Sequence, residues 1–309
     1  MNEWVAFFAA LVLAATHGTP SRGSLPPSTL AARLGGTWRI WWRSDSAPTR
    51  WQSSHPTVTR AIVWRSLPHG ARWGELRLAG TAEAWRLRVV LLHLDPKRVR
   101  FHFALPVSDD GSGRWRISDA DPRAIAAFDA GQFASDRPWG WLVKGGVEVQ
   151  PPGDGALAAG VVIDSSGSLR IIARDEIVAF RRRAGVESAL QSYPAILLGD
   201  GDVPRQLADT GQGVSLVHRD ARLSLGILRD STVLIALTRF EGLNGVLDVL
   251  PFGPTVPEMA ALMGALGCTR AVLLDGGISG QLMVRDAKAA HEWPGLRGVP
   301  MGIEVVARR

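Results

Sequence analysis

Residues Thr255 to Gln281, TVPEMAALMGALGCTRAVLLDGGISGQ, constrain the fold more tightly than any other stretch of the chain. Thr255 stands three residues before Glu258, the spacing of a capping box, and Pro257 suits the first turn of a helix. Val256, Met259, Ala260, Met263 and Leu266 recur at helical spacing and predict a core-facing stripe. Gly267 falls where a left-handed residue ends a helix. Ala271 to Leu274 is a short, wholly apolar run, expected of a strand covered on both faces. That strand delivers Asp275 to its end, followed by Gly276, Gly277, Ser279 and Gly280. A carboxylate beside two glycines is either an ordinary turn or a site that a ligand can approach closely.

The rest of the chain reads mainly as strands. Leu76 and Leu78 alternate with Glu75 and Arg77, and Trp85, Leu87 and Val89 alternate with Arg86 and Arg88, which reads as the solvated face of an edge-side sheet. Asp95-Pro96-Lys97 predicts a hairpin between LRVVLLHL and VRFHFAL. Gly145-Gly146 and Asp164-Ser165-Ser166-Gly167 predict two more. With 34 glycines and 19 prolines in 309 residues, turns dominate over long helices. The expected class is α+β: one main domain, spanning 61–309, with a large mixed or mainly antiparallel sheet and a few packed helices.

Three upstream segments join the Asp275 loop in a recurrent order: AAFDAGQF (Ala126 to Phe133), QSYPAILLGDG (Gln191 to Gly201) and ARLSLGI (Ala221 to Ile227). Together with LDGGISGQ they resemble the boxes of the phosphodiester glycosidase family, over roughly Ile62 to Glu304. The chain departs from the family pattern at Asp129, where an asparagine is usual, and at Ile278 and Gly280 in the glycine-serine loop. The resemblance implies hydrolysis of a sugar-1-phosphodiester at the anomeric C–O bond, on a small-molecule or polysaccharide substrate.

An oxocarbenium-like transition state calls for a carboxylate, and a phosphodiester anion for a guanidinium fork. On the resemblance, Asp275 is the carboxylate at the reacting centre, Arg222 the phosphate ligand and Asp129 a second catalytic group. Gln132, Gln191 and Ser279 would orient sugar hydroxyls, while Gly276 and Gly277 would expose N–H donors. Each has a structural alternative: Arg222 pairing with a nearby aspartate, Asp129 serving as a turn residue. Glu258 reads as a helix cap, and Trp139 and Trp141 as core residues or a sugar-stacking wall. Two rival functions fit the same residues: a glycan- or envelope-binding protein without turnover, and a phosphodiesterase cutting P–O with a metal between Asp129 and Asp275.

No resident cofactor or metal site is expected, since the seven histidines show no ligand spacing and the single cysteine, Cys268, reads as a buried hydrophobe. A net charge of +6 implies an affinity for anions without saying which, and the absence of a basic run weighs against nucleic acid. Val5 to Ala15 is too short to span a bilayer but fits the apolar core of a secretory signal, taken as residues 1–18. No basic residue precedes it, which leaves a buried N-terminal helix or a misplaced start as alternatives. The expectation is a secreted or periplasmic protein, with no span left after processing and residues 19–60 as a linker or extended lead-in.

Overall fold

The computed structural model describes residues 27–80, 85–105, 114–134, 137–208, 214–242 and 250–308. Along them run β1 (Thr29–Leu34), β2 (Thr37–Arg43), α1 (Pro56–Arg60), β3 (Val63–Ser66), β4 (Arg72–Gly80), β5 (Trp85–Leu94), β6 (Val99–Ala104) and β7 (Ala126–Asp129). Then come β8 (Phe133–Ala134), β9 (Arg137–Pro138), β10 (Leu142–Lys144), β11 (Val147–Gln150), β12 (Ala159–Asp164), β13 (Leu169–Ala173), α2 (Arg174–Phe180), β14 (Val186–Ser192) and β15 (Ala195–Leu197). The last third holds β16 (Leu223–Leu228), β17 (Val233–Phe240), α3 (Val256–Ala265), β18 (Cys268–Leu273), β19 (Leu282–Arg285), β20 (Ala290–Trp293) and β21 (Gly302–Ala307). The signal-like segment Val5 to Ala15 and the Asp109-Asp110-Gly111 turn lie outside the described residues.

A nine-stranded sheet has the order β15-β18-β16-β17-β5-β4-β1-β2, with β3 also on β4. Two five-stranded sheets follow the orders β11-β10-β14-β12-β13 and β20-β19-β7-β21-β6. Every pairing within these sheets is antiparallel. The period of two on β5 explains how the sheets stack. Val90, Leu92 and Leu94 enter a core shared with all three sheets, including Phe128 of β7 and Val161 of β12. Leu87, Val89 and Leu91 point the other way, into a second core under α3. Each such leucine contributes about 1.5–3 kcal/mol by burial.

α3 forms with the capping box expected of it: the Glu258 N–H donates to Thr255 Oγ1 (3.4 Å) and the Thr255 N–H to Glu258 Oε2 (3.0 Å). It differs from a one-sided helix, because only Pro257 among its residues escapes full burial. Its outer side is covered by the segment read as a lead-in. A Cβ on Gly264 would stand 2.2 Å from the Trp51 ring, and the His55 N–H donates to Ala265 O (2.7 Å). Likewise β1 joins the large sheet through β4. Residues 29–60, part of the stretch expected as a linker or extended lead-in, are therefore built into the fold; their sparse alternation hides strands that lie at a sheet margin.

A second correction concerns Asp95-Pro96-Lys97. The turn is present, with the Lys97 N–H donating to Asp95 Oδ1 (2.9 Å), but β5 and β6 do not pair. The chain crosses from the large sheet to the facing one, where β6 pairs with β21. Both strands keep an alternating pattern because both face the same core. β5 is thus an interior strand, so its arginines do not mark a sheet edge.

Candidate active site

Two strand ends from facing sheets meet at one point. β18 of the large sheet leads into Asp275, and β7 of the facing sheet ends at Asp129. The Asp275 N–H donates to Ala130 O (3.3 Å), and Gln132 Nε2 donates to Leu274 O (2.9 Å). Ser192, at the end of β14, donates its hydroxyl to Leu273 O (2.6 Å). All three sheets therefore hold the Asp275 backbone, which turns two polar loops far apart in sequence into one constellation.

The glycines of this loop serve the chain itself. A Cβ on Gly276 would lie 2.5 Å from Ala221 O, and the Gly277 N–H donates to that same carbonyl (2.7 Å). Gly277 has φ +57, in the left-handed region. The N–H expected to face a ligand is thus consumed in docking the loop on residues 220–222. Arg222 lies on that docked segment, but its side chain ties two other loops. Nε donates to Pro254 O (3.2 Å) and Nη2 to His218 O (2.9 Å). Burial depresses its pKa, opposed by Asp220. The structure thus gives the Nε and Nη2 of Arg222, the residue expected to hold phosphate, a scaffolding occupation.

Gln191 is likewise corrected. Its Oε1 accepts from the N–H groups of Trp141 and Gly153, both at 2.9 Å, and its Nε2 donates to Gly153 O. With its amide engaged on both sides and the residue buried, it pins a loop and has little left for a substrate. Trp141 is fully buried, as a core residue, while Trp139 remains half-buried against Tyr193.

The electrostatics centre on the two aspartates. Asp129 has no exposed surface, and neither carboxylate oxygen forms a hydrogen bond among the described residues. Burial first, and then the charge of Asp275, push its pKa well above the ordinary carboxylate range; Gln281, Arg239 and Arg297 pull the other way. Burial and the Asp275 charge therefore both favour the protonated form of Asp129. Asp275 is raised to about 6, mainly by burial, with Ser279 and Arg297 lowering it and Asp220 raising it. It is the only one of the two that reaches the surface.

Sequence reasoning missed the cations of this site. Arg297 is exposed, and its Nε donates to Ser279 Oγ (2.7 Å), so Ser279 links an accessible guanidinium to Asp275. Only the Pro294-Gly295 turn hints at it in the sequence. Arg239 is almost wholly buried at the end of β17, where Nη2 donates to the carbonyls of Gly280, Trp293 and Pro294. Its place in an apolar strand was the available signal, since a buried arginine needs partners. Gln281 Oε1 accepts from the Ile117 N–H (3.0 Å). Among the described residues no group of three or more His, Cys, Asp or Glu side chains is disposed to hold a metal ion.

Glu258, by contrast, is occupied by its cap and by Arg219, whose Nη1 and Nη2 approach it at 2.7 and 2.9 Å. Of the groups linked through Ser279, Asp275 and Arg297 have exposed surface, while Ser279 itself and Asp129 are buried.

The fold superimposes on the zebrafish N-acetylglucosamine-1-phosphodiester alpha-N-acetylglucosaminidase catalytic domain auto-inhibited by pro-peptide, with a TM-score of 0.53. The two share 13% identity over 93% of this chain and 90% of that one. A hypothetical protein from Synechocystis is similar at a TM-score of 0.52 and 14% identity, over 91% of this chain and 68% of the other. No curated protein matches the sequence. The phosphodiester glycosidase family model matches residues 122–306, a span that contains Asp129, Asp275, Ser279 and Arg297, and the chain belongs to that family.

Proposed function

We propose that the protein hydrolyses a sugar-1-phosphodiester at the anomeric C–O bond, releasing the sugar and a phosphate monoester. The observation that carries this reading is the pairing of a surface-reaching carboxylate, Asp275, with an exposed guanidinium, Arg297, through the Ser279 hydroxyl. Asp275 would stabilise or attack the anomeric carbon as positive charge develops there. Arg297 would hold the phosphodiester anion on the leaving side. The departing phosphate is a weak base, so little general-acid assistance is needed. Asp129 would act as a positioning residue: in the protonated form that its burial favours it offers one donor and one acceptor, as the family's usual asparagine amide does.

Hydrolysis in isotopically labelled water tests the reading on an aryl phosphodiester of a sugar 1-phosphate. Label recovered in the sugar means C–O cleavage. Label in the phosphate would overturn the assignment in favour of P–O cleavage, and glycan binding without turnover on a panel of sugars would favour a binding protein. The apolar run Val5 to Ala15 supports action outside the cytoplasm, in the periplasm or medium. Intact Met1 on protein recovered from there would argue against a cleaved signal.

A further inference from the structure

The face of the large sheet that carries the shared core continues beyond the site as a cationic groove. Arg77, Arg88 and Arg239 stand directly opposite one another across β4, β5 and β17. Residues paired in this way share a face, about 4.8 Å apart from strand to strand. The row therefore runs from Arg239, hydrogen-bonded at the Gly280 carbonyl, outward to a groove of about 1050 Å³. Arg33, Arg65 and Arg86 complete its cationic lining, and Trp38 offers a half-buried indole beside them.

Two carboxylates share this groove with five guanidinium groups, an excess of three positive charges. Both carboxylates are already engaged. Glu75 lies between Arg65 (3.7 Å) and Arg88 (3.5 Å), and Glu241 pairs with Arg77 (3.0 Å). Arg33 and Arg86 have no carboxylate partner among the described residues; the Arg86 guanidinium lies 4.8 Å from the Trp38 ring centroid. Like charges directly opposite on a sheet destabilise it, so a purely structural surface would be expected to balance them. A chain of contacts also links groove and site. Arg65 sits 4.4 Å over Trp73, Trp73 packs on Trp293 at 5.3 Å, and the Trp293 carbonyl accepts from Arg239.

We propose that this groove binds the portion of the substrate beyond the scissile linkage, as a glycan chain carrying further phosphodiesters. The proposal rests on the glycosidic reading of the adjoining site. Guanidinium forks at sheet spacing suit successive phosphodiester groups. The indole beside them suits an intervening sugar ring, and the excess charge draws such a chain toward Asp275.

The test uses the full-length protein and a mannan bearing mannosyl phosphodiester branches. The same mannan stripped of phosphate and a single-stranded oligodeoxynucleotide serve as comparisons. Calorimetry is expected to give binding to the phosphorylated mannan that weakens with salt and weakens at least tenfold in Arg33→Glu/Arg86→Glu. Turnover of a small aryl sugar phosphodiester is expected to keep its kcat/KM in that variant. The milder Arg33→Gln/Arg86→Gln pair gives a smaller loss of the same sign and serves if the charge reversal fails to fold. Equal binding by variant and parent, or equal binding of stripped mannan, would overturn the groove. An oligonucleotide bound as tightly as the mannan would make it a nucleic-acid surface instead. Expected binding on a protein inert toward every sugar phosphodiester would keep the groove and overturn the hydrolytic reading alone.

Discussion

An aspartate where the family usually carries asparagine is a small chemical change only if it holds its proton. Complete burial and the neighbouring Asp275 both favour the protonated acid here, since both disfavour a second negative charge. Asp129→Asn is therefore expected to retain kcat/KM within a few-fold. Asp275→Asn should lose at least about a hundredfold, the scale on which a catalytic carboxylate acts, while folding normally by circular dichroism. The opposite ranking would invert the roles assigned to the pair. The pH profile gives a second, independent handle. If Asp275 works ionised, kcat/KM should rise with pH through about 6. Ser279 and Arg297 both lower that pKa, so Ser279→Ala and Arg297→Gln should each move the acid limb upward. Arg297→Gln should also raise KM for the phosphodiester, whereas Arg222→Gln should show chiefly as lost stability, because its guanidinium serves the His218 and Pro254 carbonyls. An unmoved acid limb in both Ser279→Ala and Arg297→Gln would detach it from Asp275.

At the scale of the element, the loop after β18 is a docked piece of backbone whose glycines are dictated by contact with residues 220–222. Gly276→Ala would drive a methyl group against the Ala221 carbonyl. The expected cost is about 1–3 kcal/mol, read as a lowered midpoint in urea, together with lost activity as Asp275 shifts. An unchanged midpoint would mean that the loop is free to move. This contact also marks the limit of what the sequence discloses. The capping box, the Gly267 stop, the buried strand and the Gly145-Gly146 hairpin are local, and each is legible from neighbours a few residues away. Asp275 was legible for the same reason, as the polar terminus of an apolar run. Whether Arg222 or Arg297 faces the ligand depends instead on which carbonyls already occupy the guanidinium, and those come from elsewhere in the chain. The crossing of β5 and β6 into different sheets is equally nonlocal: β5 pairs with the distant β17 as well as the neighbouring β4, β6 pairs with the distant β21, and a tight turn alone cannot select these partners.

For the whole molecule, the buried pair couples the site to global stability, and the sign follows from the direction of the shifts. Asp275 and Asp129 both have folded-state pKa values above the ordinary 3.8. The native state therefore binds more protons than the unfolded chain across that interval. The stabilisation is complete below the unfolded value and is lost as pH rises through about 6 for Asp275, and through the raised folded-state value for Asp129. His93, depressed by burial and by Arg72, works in the opposite direction near its ordinary value of 6.5. Surface carboxylates such as Asp286, held down to about 2 by His291 and nearby backbone N–H groups, lose their contribution as pH falls, but solvent screening keeps each small. The Asp275 contribution should consequently lower the thermal midpoint as pH rises from its ordinary value of 3.8 to about 6. Asp129→Asn cannot ionise, so it should remove that residue's share of the decline while leaving the contributions of His93 and Asp286 in place. The quantity to measure is the difference in midpoint between parent and Asp129→Asn as a function of pH. It should move in favour of the variant as pH rises. A difference that stays constant from pH 5 to 8 would mean that Asp129 does not titrate differently in the folded protein, and that the shielding of its carboxyl group by three sheets has no thermodynamic consequence.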